Sequence, residues 1–147
     1  MFLMAWVVAA VLVIMDQASK TIAHRLVAPG GSLRILPFLD IVNWQNPGSA
    51  FGMFQHAGSV FFIVITAAVI VAIIYAMARG GARHFGLVLV LAGAAGNLAD
   101  RLMLGSVRDF IYFHAGRFYW PAFNFADSYI TIGVILLFFA STKKAGR

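Results

Sequence analysis

Cysteine and glutamate are both absent from this 147-residue chain, and only 11% of its residues are charged. Without cysteine there is no disulfide, no zinc thiolate and no thiol nucleophile. All carboxylate chemistry must come from five aspartates, Asp16, Asp40, Asp100, Asp109 and Asp127. No His-Glu-x-x-His or Gly-x-Ser-x-Gly pattern occurs, which removes the usual zinc and serine hydrolase signatures. Ser19 and Lys20 are sequence neighbours, so on a helix they diverge by about 100° and make a poor Ser–Lys dyad. His24, His56, His84 and His114 are far apart, and none makes a ligand pair at helical spacing. Neither a metal nor a cofactor is expected.

What is abundant is apolar surface. Hydrophobic residues make up 62% of the chain and its mean hydropathy is +0.90, whereas a soluble domain is typically about half apolar and about a quarter charged. Small domains are mostly surface, so this excess cannot all be buried internally and lipid is its natural solvent. The net charge of +6 comes from scattered basic residues that form no stripe. Nucleic acid is therefore not expected as a partner.

A hydrocarbon layer about 30 Å thick takes about 20 apolar residues as a helix. Four such spans are expected, at about 2–26, 60–78, 86–104 and 125–140, in one integral membrane domain covering 1–147. The run from Phe2 to Met15 is short enough to suggest a leader. However, no basic segment precedes it and Asp16-Gln17-Ala18-Ser19-Lys20 follows in place of a small-x-small cleavage site, so a continuing helix is expected. The fold class is an all-α membrane protein with a small extracytoplasmic β-like region between spans 1 and 2. Arg79 and Arg83 in one short connection, and Lys143, Lys144 and Arg147 in the tail, read as cytoplasmic. Both termini are then cytoplasmic, and the loops at about 24–59 and 105–123 face outward. All five aspartates fall at that outer boundary, where ionisable groups at membrane depth mark a cavity or a site.

The third span carries Gly86, Val90, Gly93, Asn97, Asp100 and Leu104 on one stripe, and glycines there permit close helix approach. Asp100 and Arg101 read as a structural clasp. Residues 107–113 alternate like a short strand, with Val107, Asp109, Ile111 and Phe113 on one face. Asn124, Asp127, Thr131 and Val134 share a stripe of the fourth span. Asp127 near a helix start has an ordinary explanation as a cap, and Asn46-Pro47-Gly48 has one as a turn. Pro37 marks a turn in an apolar stretch from Leu33 to Val42. Two acids on separate elements at one boundary are harder to explain structurally, because a carboxylate pair sharing a proton can activate water.

Taken together, these segments resemble lipoprotein signal peptidase (signal peptidase II). The matching pieces are Asp16-Gln-x-x-Lys20, Asn46-x-Gly48-x-Ala50-Phe51-Gly52, Gly93-x-x-Gly96-Asn97-x-x-Asp100-Arg101, Val107-x-Asp109-Phe110 and Phe123-Asn124-x-Ala126-Asp127. They extend from the first span to the last. Ala92 stands where the family often has another glycine. The resemblance implies an aspartic endopeptidase of the bacterial inner membrane that removes the signal peptide from diacylglyceryl-modified prolipoproteins, cutting before the lipidated cysteine. It implies Asp109 and Asp127 as the catalytic pair. Asp16, Lys20, Asn46, Gly48, Asn97, Asp100, Arg101 and Asn124 are implied as substrate-binding or site-supporting. Its partners are lipidated prolipoproteins and membrane lipid, and a monomer is expected. Two other readings remain, a small transporter or channel with an ion-binding Asp/Asn cluster and a non-catalytic assembly factor.

Overall fold

Four long apolar runs with no proline inside them form four helices, α1 (Phe2–Leu26), α2 (Gly58–Ala78), α3 (Phe85–Leu104) and α4 (Phe125–Ala145), in a computed structural model that describes residues 2–48, 58–80 and 85–145. Each is long and apolar enough to cross a membrane. Asp16-Gln17 does not interrupt α1, which runs as one helix of 25 residues. Ala50, Phe51 and Gly52 of the expected motifs, with His56, Gly81, Arg83, His84 and Arg147, lie outside the described residues.

The third helix is the hub. It packs against α1, α2 and α4, and half of its span is buried, against 17% of α1 and 11% of α2 and α4. The other three turn large apolar side chains outward, among them Leu3, Val60 and Phe138. Such surfaces belong against lipid.

The close approach rests on small residues. A Cβ on Gly86 would lie 2.7 Å from the Gly133 carbonyl oxygen, and one on Gly93 would collide with the Ala126 carbonyl oxygen. Thus α4 lies directly on the glycine stripe of α3, as membrane helices do when small residues face each other. Leu104, expected on that stripe, is exposed. Away from the polar end, Ala5, Ala9, Ile73, Met77, Val88, Leu91 and Ala92 form the buried apolar core.

The expected all-α fold class, with a small β-like region between the first two spans, is corrected here, while the strand expected at 107–113 is present within β3. Four antiparallel strands, β1 (Ser32–Leu36), β2 (Leu39–Asn46), β3 (Val107–Ala115) and β4 (Phe118–Tyr119), join in sequence order. Half of the sheet comes from the segment between α3 and α4. Pro37 and Phe38 form the turn between β1 and β2. Asn43 Nδ2 donates to the carbonyls of His24 and Val27, closing the end of α1 against the middle of β2. On its far side β3 bonds to Phe123, the lead-in to α4, through the Phe110 and Ile111 N–H groups. That strap brings Asp109 beside the start of α4. The inward face of β3 is shorter than alternation predicts. Val107 and Asp109 are buried, Ile111 is half-buried and Phe113 is exposed, while Phe110 is buried against Phe125.

Candidate active site

Beneath the sheet, α1, α3 and β3 enclose four charged groups. Lys20 Nζ lies 2.8 Å from Asp16 Oδ2 and 3.3 Å from Asp100 Oδ2, and it donates to Asn97 Oδ1 at 3.0 Å. An ammonium has three donors, and each has one acceptor here. Lys20, Asp16 and Asp100 are completely buried. Arg108 reaches Asp100 Oδ1 at 2.8 Å through Nη2, and its backbone N–H donates to Asp100 Oδ2 at 2.9 Å. Two acids face two bases, so the cluster carries no net charge, the condition under which ions survive burial. Asp16 also accepts the Ala126 N–H at 2.9 Å, which ties α1 to the first turn of α4. Gly96 makes room for this, since a Cβ there would meet Asp16 Oδ2 at 2.6 Å.

Above the cluster stand buried Asp109 and half-buried Asp127. Asp127 Oδ1 accepts from Asn97 Nδ2 at 2.8 Å, and Oδ2 accepts the Asn124 N–H at 3.2 Å. Asp109 Oδ1 accepts from Asn124 Nδ2 at 2.8 Å, and Oδ2 accepts from Asn46 Nδ2 at 3.2 Å. Burial first, and then the nearby Asp127 charge, push the Asp109 carboxyl up to about 7. Asn124 therefore joins both acids. Asn46 does double service too: its Oδ1 accepts the Gly48 N–H at 3.0 Å in a local turn, which aims its amide nitrogen at Asp109. Gly48 has φ +114°, and a Cβ there would collide with the Phe62 ring.

Asp127 also faces a cavity of about 270 Å³ between α2, α3 and α4. Asn97 and Arg101 line it with Asp127, and Ile65, Val69, Val90, Ala94 and Ile130 supply apolar walls. Arg101 does not form the expected clasp with Asp100, because Lys20 and Arg108 occupy that carboxylate. Its Nη1 donates instead to the Asn97 carbonyl at 3.4 Å, and the guanidinium lies 5.5 Å from the Phe62 ring centre. Thr131 and Val134, expected on the Asp127 stripe, are exposed.

All ten expected site residues thus converge, and three more join them. Arg108, Gln17 and Thr21 complete the charged cluster, with Arg108 Nη2 donating to Gln17 Oε1 at 2.8 Å and Nη1 to Thr21 Oγ1 at 3.1 Å. One signal for Arg108 was present in the sequence. Asp16 and Asp100 against Lys20 alone leave a buried negative charge unmatched.

A multi-pass membrane protein in which one residue, Asn124, links a buried and a half-buried carboxylate at the mouth of an apolar cavity has the plan of an intramembrane acid hydrolase. Residues 8–143 match the model of the family described as "Signal peptidase (SPase) II". The chain is 42% identical over 133 residues to the lipoprotein signal peptidase of Thermodesulfovibrio yellowstonii, covering 90% of each chain. It is 40% identical to that of Caldanaerobacter subterraneus subsp. tengcongensis, over 97% of this chain and 99% of the relative. A solved bacterial membrane enzyme structure superposes with a TM-score of 0.85 at 34% identity, over 97% of this chain and 89% of the other. The chain belongs to the signal peptidase II family and is an aspartic peptidase.

Proposed function

We propose that this peptidase removes signal peptides from diacylglyceryl-modified prolipoproteins, cutting before the lipidated cysteine, with Asp109 and Asp127 as its catalytic pair. Removal of signal peptides from lipoprotein precursors is the activity its family carries. The observation that supports the dyad most directly is the Asn124 bridge, which holds Asp109 and Asp127 close enough for their charges to interact.

The two environments assign different roles. Asp127 sits in the first turn of α4, where free N–H groups and the helix dipole favour an anion. Asp109 lies on a strand, held by two neutral amides, and retains a proton to about pH 7. Asp127 takes a proton from water as its oxygen attacks the scissile carbonyl carbon. Asp109 donates its proton toward the carbonyl oxygen. On collapse the carbonyl re-forms and returns its proton to Asp109, the C–N bond breaks, and the proton gained by Asp127 passes to the leaving nitrogen. One water is consumed, giving a signal-peptide carboxyl and a free amine on the lipidated cysteine. The cycle needs one carboxyl protonated and one ionised at its start.

The cavity beside Asp127 opens between lipid-facing helices, so a substrate can enter sideways with its apolar segment still in the membrane. Its walls are apolar, and each methylene buried there contributes roughly 0.8 kcal/mol. The diacylglyceryl group then supplies much of the recognition. The enzyme resides in the bacterial inner membrane as a monomer, with both termini cytoplasmic and the acids and sheet at the outer face. The test is incubation of the purified enzyme with one precursor in lipidated and unlipidated form. Efficient cleavage of the lipidated form alone is expected, and comparable rates on both would remove the lipid from the mechanism.

A further inference from the structure

The proposed reaction leaves Lys20 unused, although it is the largest fully buried side chain in the described protein. An ammonium at that depth is costly, and burying a well-packed apolar residue in its place would often be as stable. Its third contact gives it a purpose. The Asn97 side chain has a donor end and an acceptor end, and at this site the two ends face different groups. Lys20 Nζ donates to Oδ1 at 3.0 Å, and Nδ2 donates to Asp127 Oδ1 at 2.8 Å. Reversing the amide would set its N–H groups against the ammonium and its oxygen against the Asp127 carboxylate, so both contacts would turn repulsive.

We propose that Lys20 is a positioning residue for the hydrolytic reaction: its ammonium fixes which end of the Asn97 amide faces Asp127, and so holds the Asp127 carboxylate in register. Asp16 and Asp100 have a part in this, since they hold the ammonium from two sides at 2.8 and 3.3 Å. Asp16 acts on the same target a second way, through the Ala126 N–H one residue before Asp127. A side chain on α1 thereby controls a carboxylate on α4 through an amide on α3. The inference rests on the proposed catalytic role of Asp127.

The experiment is a double-mutant cycle on purified enzyme with a lipidated precursor, using Lys20→Met and Asn97→Ala. Lys20→Met keeps the length of the stem and removes the ammonium. It is paired with Lys20→Met/Asp16→Asn, which removes the same contact while leaving the cluster neutral. If Lys20 works through Asn97, either Lys20 variant lowers kcat at least tenfold with KM little changed. Placed on Asn97→Ala, it then lowers kcat by less than about twofold, because residues acting as one unit are not additive. Lys20→Arg, which can still donate to Asn97 Oδ1, should recover part of kcat. Multiplicative losses in the double variant would overturn the proposal, as would full kcat in a folded Lys20→Met/Asp16→Asn enzyme. Failure of every Lys20 variant to fold would overturn it too, by making Lys20 a folding residue. Asp127→Asn is measured alongside: activity there defeats the dyad itself, whereas an inactive Asp127→Asn with an unaffected Lys20→Met defeats only the positioning role.

Discussion

Asn124 and Asp127 cap each other: the Asp127 N–H donates to Asn124 Oδ1 at 3.0 Å, and the Asn124 N–H donates to Asp127 Oδ2 at 3.2 Å. The arrangement satisfies two orphan donors at the start of α4, as a capping box does. It also leaves the Asn124 amide nitrogen free to reach Asp109 at 2.8 Å. A helix start and the link between two acids are thus made by one residue.

The dyad predicts matched losses. Asp109→Asn and Asp127→Asn should each reduce kcat by on the order of 10³-fold or more, at the upper part of the range for acid–base groups. The double variant should be little worse than either single one. Single-turnover cleavage of a lipidated precursor is the measurement. A well-folded single variant with substantial turnover would remove the aspartyl assignment.

Acidity gives a second prediction. The Asp109 carboxyl is raised from 3.8 to about 7, so between those values the folded protein holds a proton that the unfolded chain lacks. Stability from this group is then complete below about pH 4 and is lost as pH rises through about 7. With Asp109 as the acid, kcat should fall over the same alkaline limb. Asn46→Ala deletes a donor that favours the ionised form, so the limb should move to higher pH. A rate that is level from pH 5 to 9 would contradict this assignment.

Packing supplies a third. Gly93→Ala would drive a methyl into the Ala126 carbonyl, and Gly96→Ala would push Asp16 away from Ala126 and Lys20. Overpacking of this kind costs typically about 1–3 kcal/mol. Thermal unfolding in detergent should show both losses. Activity should fall as well, because both changes displace the first turn of α4.

Much of this protein was legible in its residues. Apolar runs without internal proline give the four helices, and the five Asp-containing and Asn-containing motifs give the residues that meet at the site. Arg108 was legible only through charge balance, because strand alternation puts it opposite Asp109. In the structure its backbone N–H and its guanidinium both turn to Asp100 just after the Gly105 bend, where φ is +73°. The Asp100–Arg101 clasp failed for a related reason. Neighbours on a helix diverge by about 100°, and Asp100 faces α1 while Arg101 faces the cavity under α2. The strand at 107–113 was legible but its pairing was not, because β2 and β3 meet across more than sixty residues, a partnership that local patterns do not carry.

Charge also predicts the effect of breaking the cluster. Arg108→Ala leaves Asp100 with Lys20 as its one cation, and loss of one partner from a buried ion pair costs roughly 3–5 kcal/mol. Arg108→Lys keeps the charge but loses the planar fork that also reaches Gln17 and Thr21, so a smaller loss is expected. Denaturation midpoints of the two variants in the same detergent should rank in that order.

Orientation is tested by labelling. Cysteines placed at Ala28, Gly81 and Arg117 should react with an impermeant reagent from outside intact cells at Ala28 and Arg117 only. The reverse pattern would invert the protein and move the acids to the cytoplasmic face.

The Asp16 contact to the Ala126 N–H joins the first helix to the last. During synthesis Asp16 and Lys20 enter the membrane as a self-compensating pair, and Asp100 and Arg108 reach them later. Asp127 arrives last of all, on a helix whose opening turn depends on a residue made more than a hundred positions earlier. With Asp127 as one of the proposed catalytic pair, a nascent chain holds no complete dyad until its fourth span docks against α1.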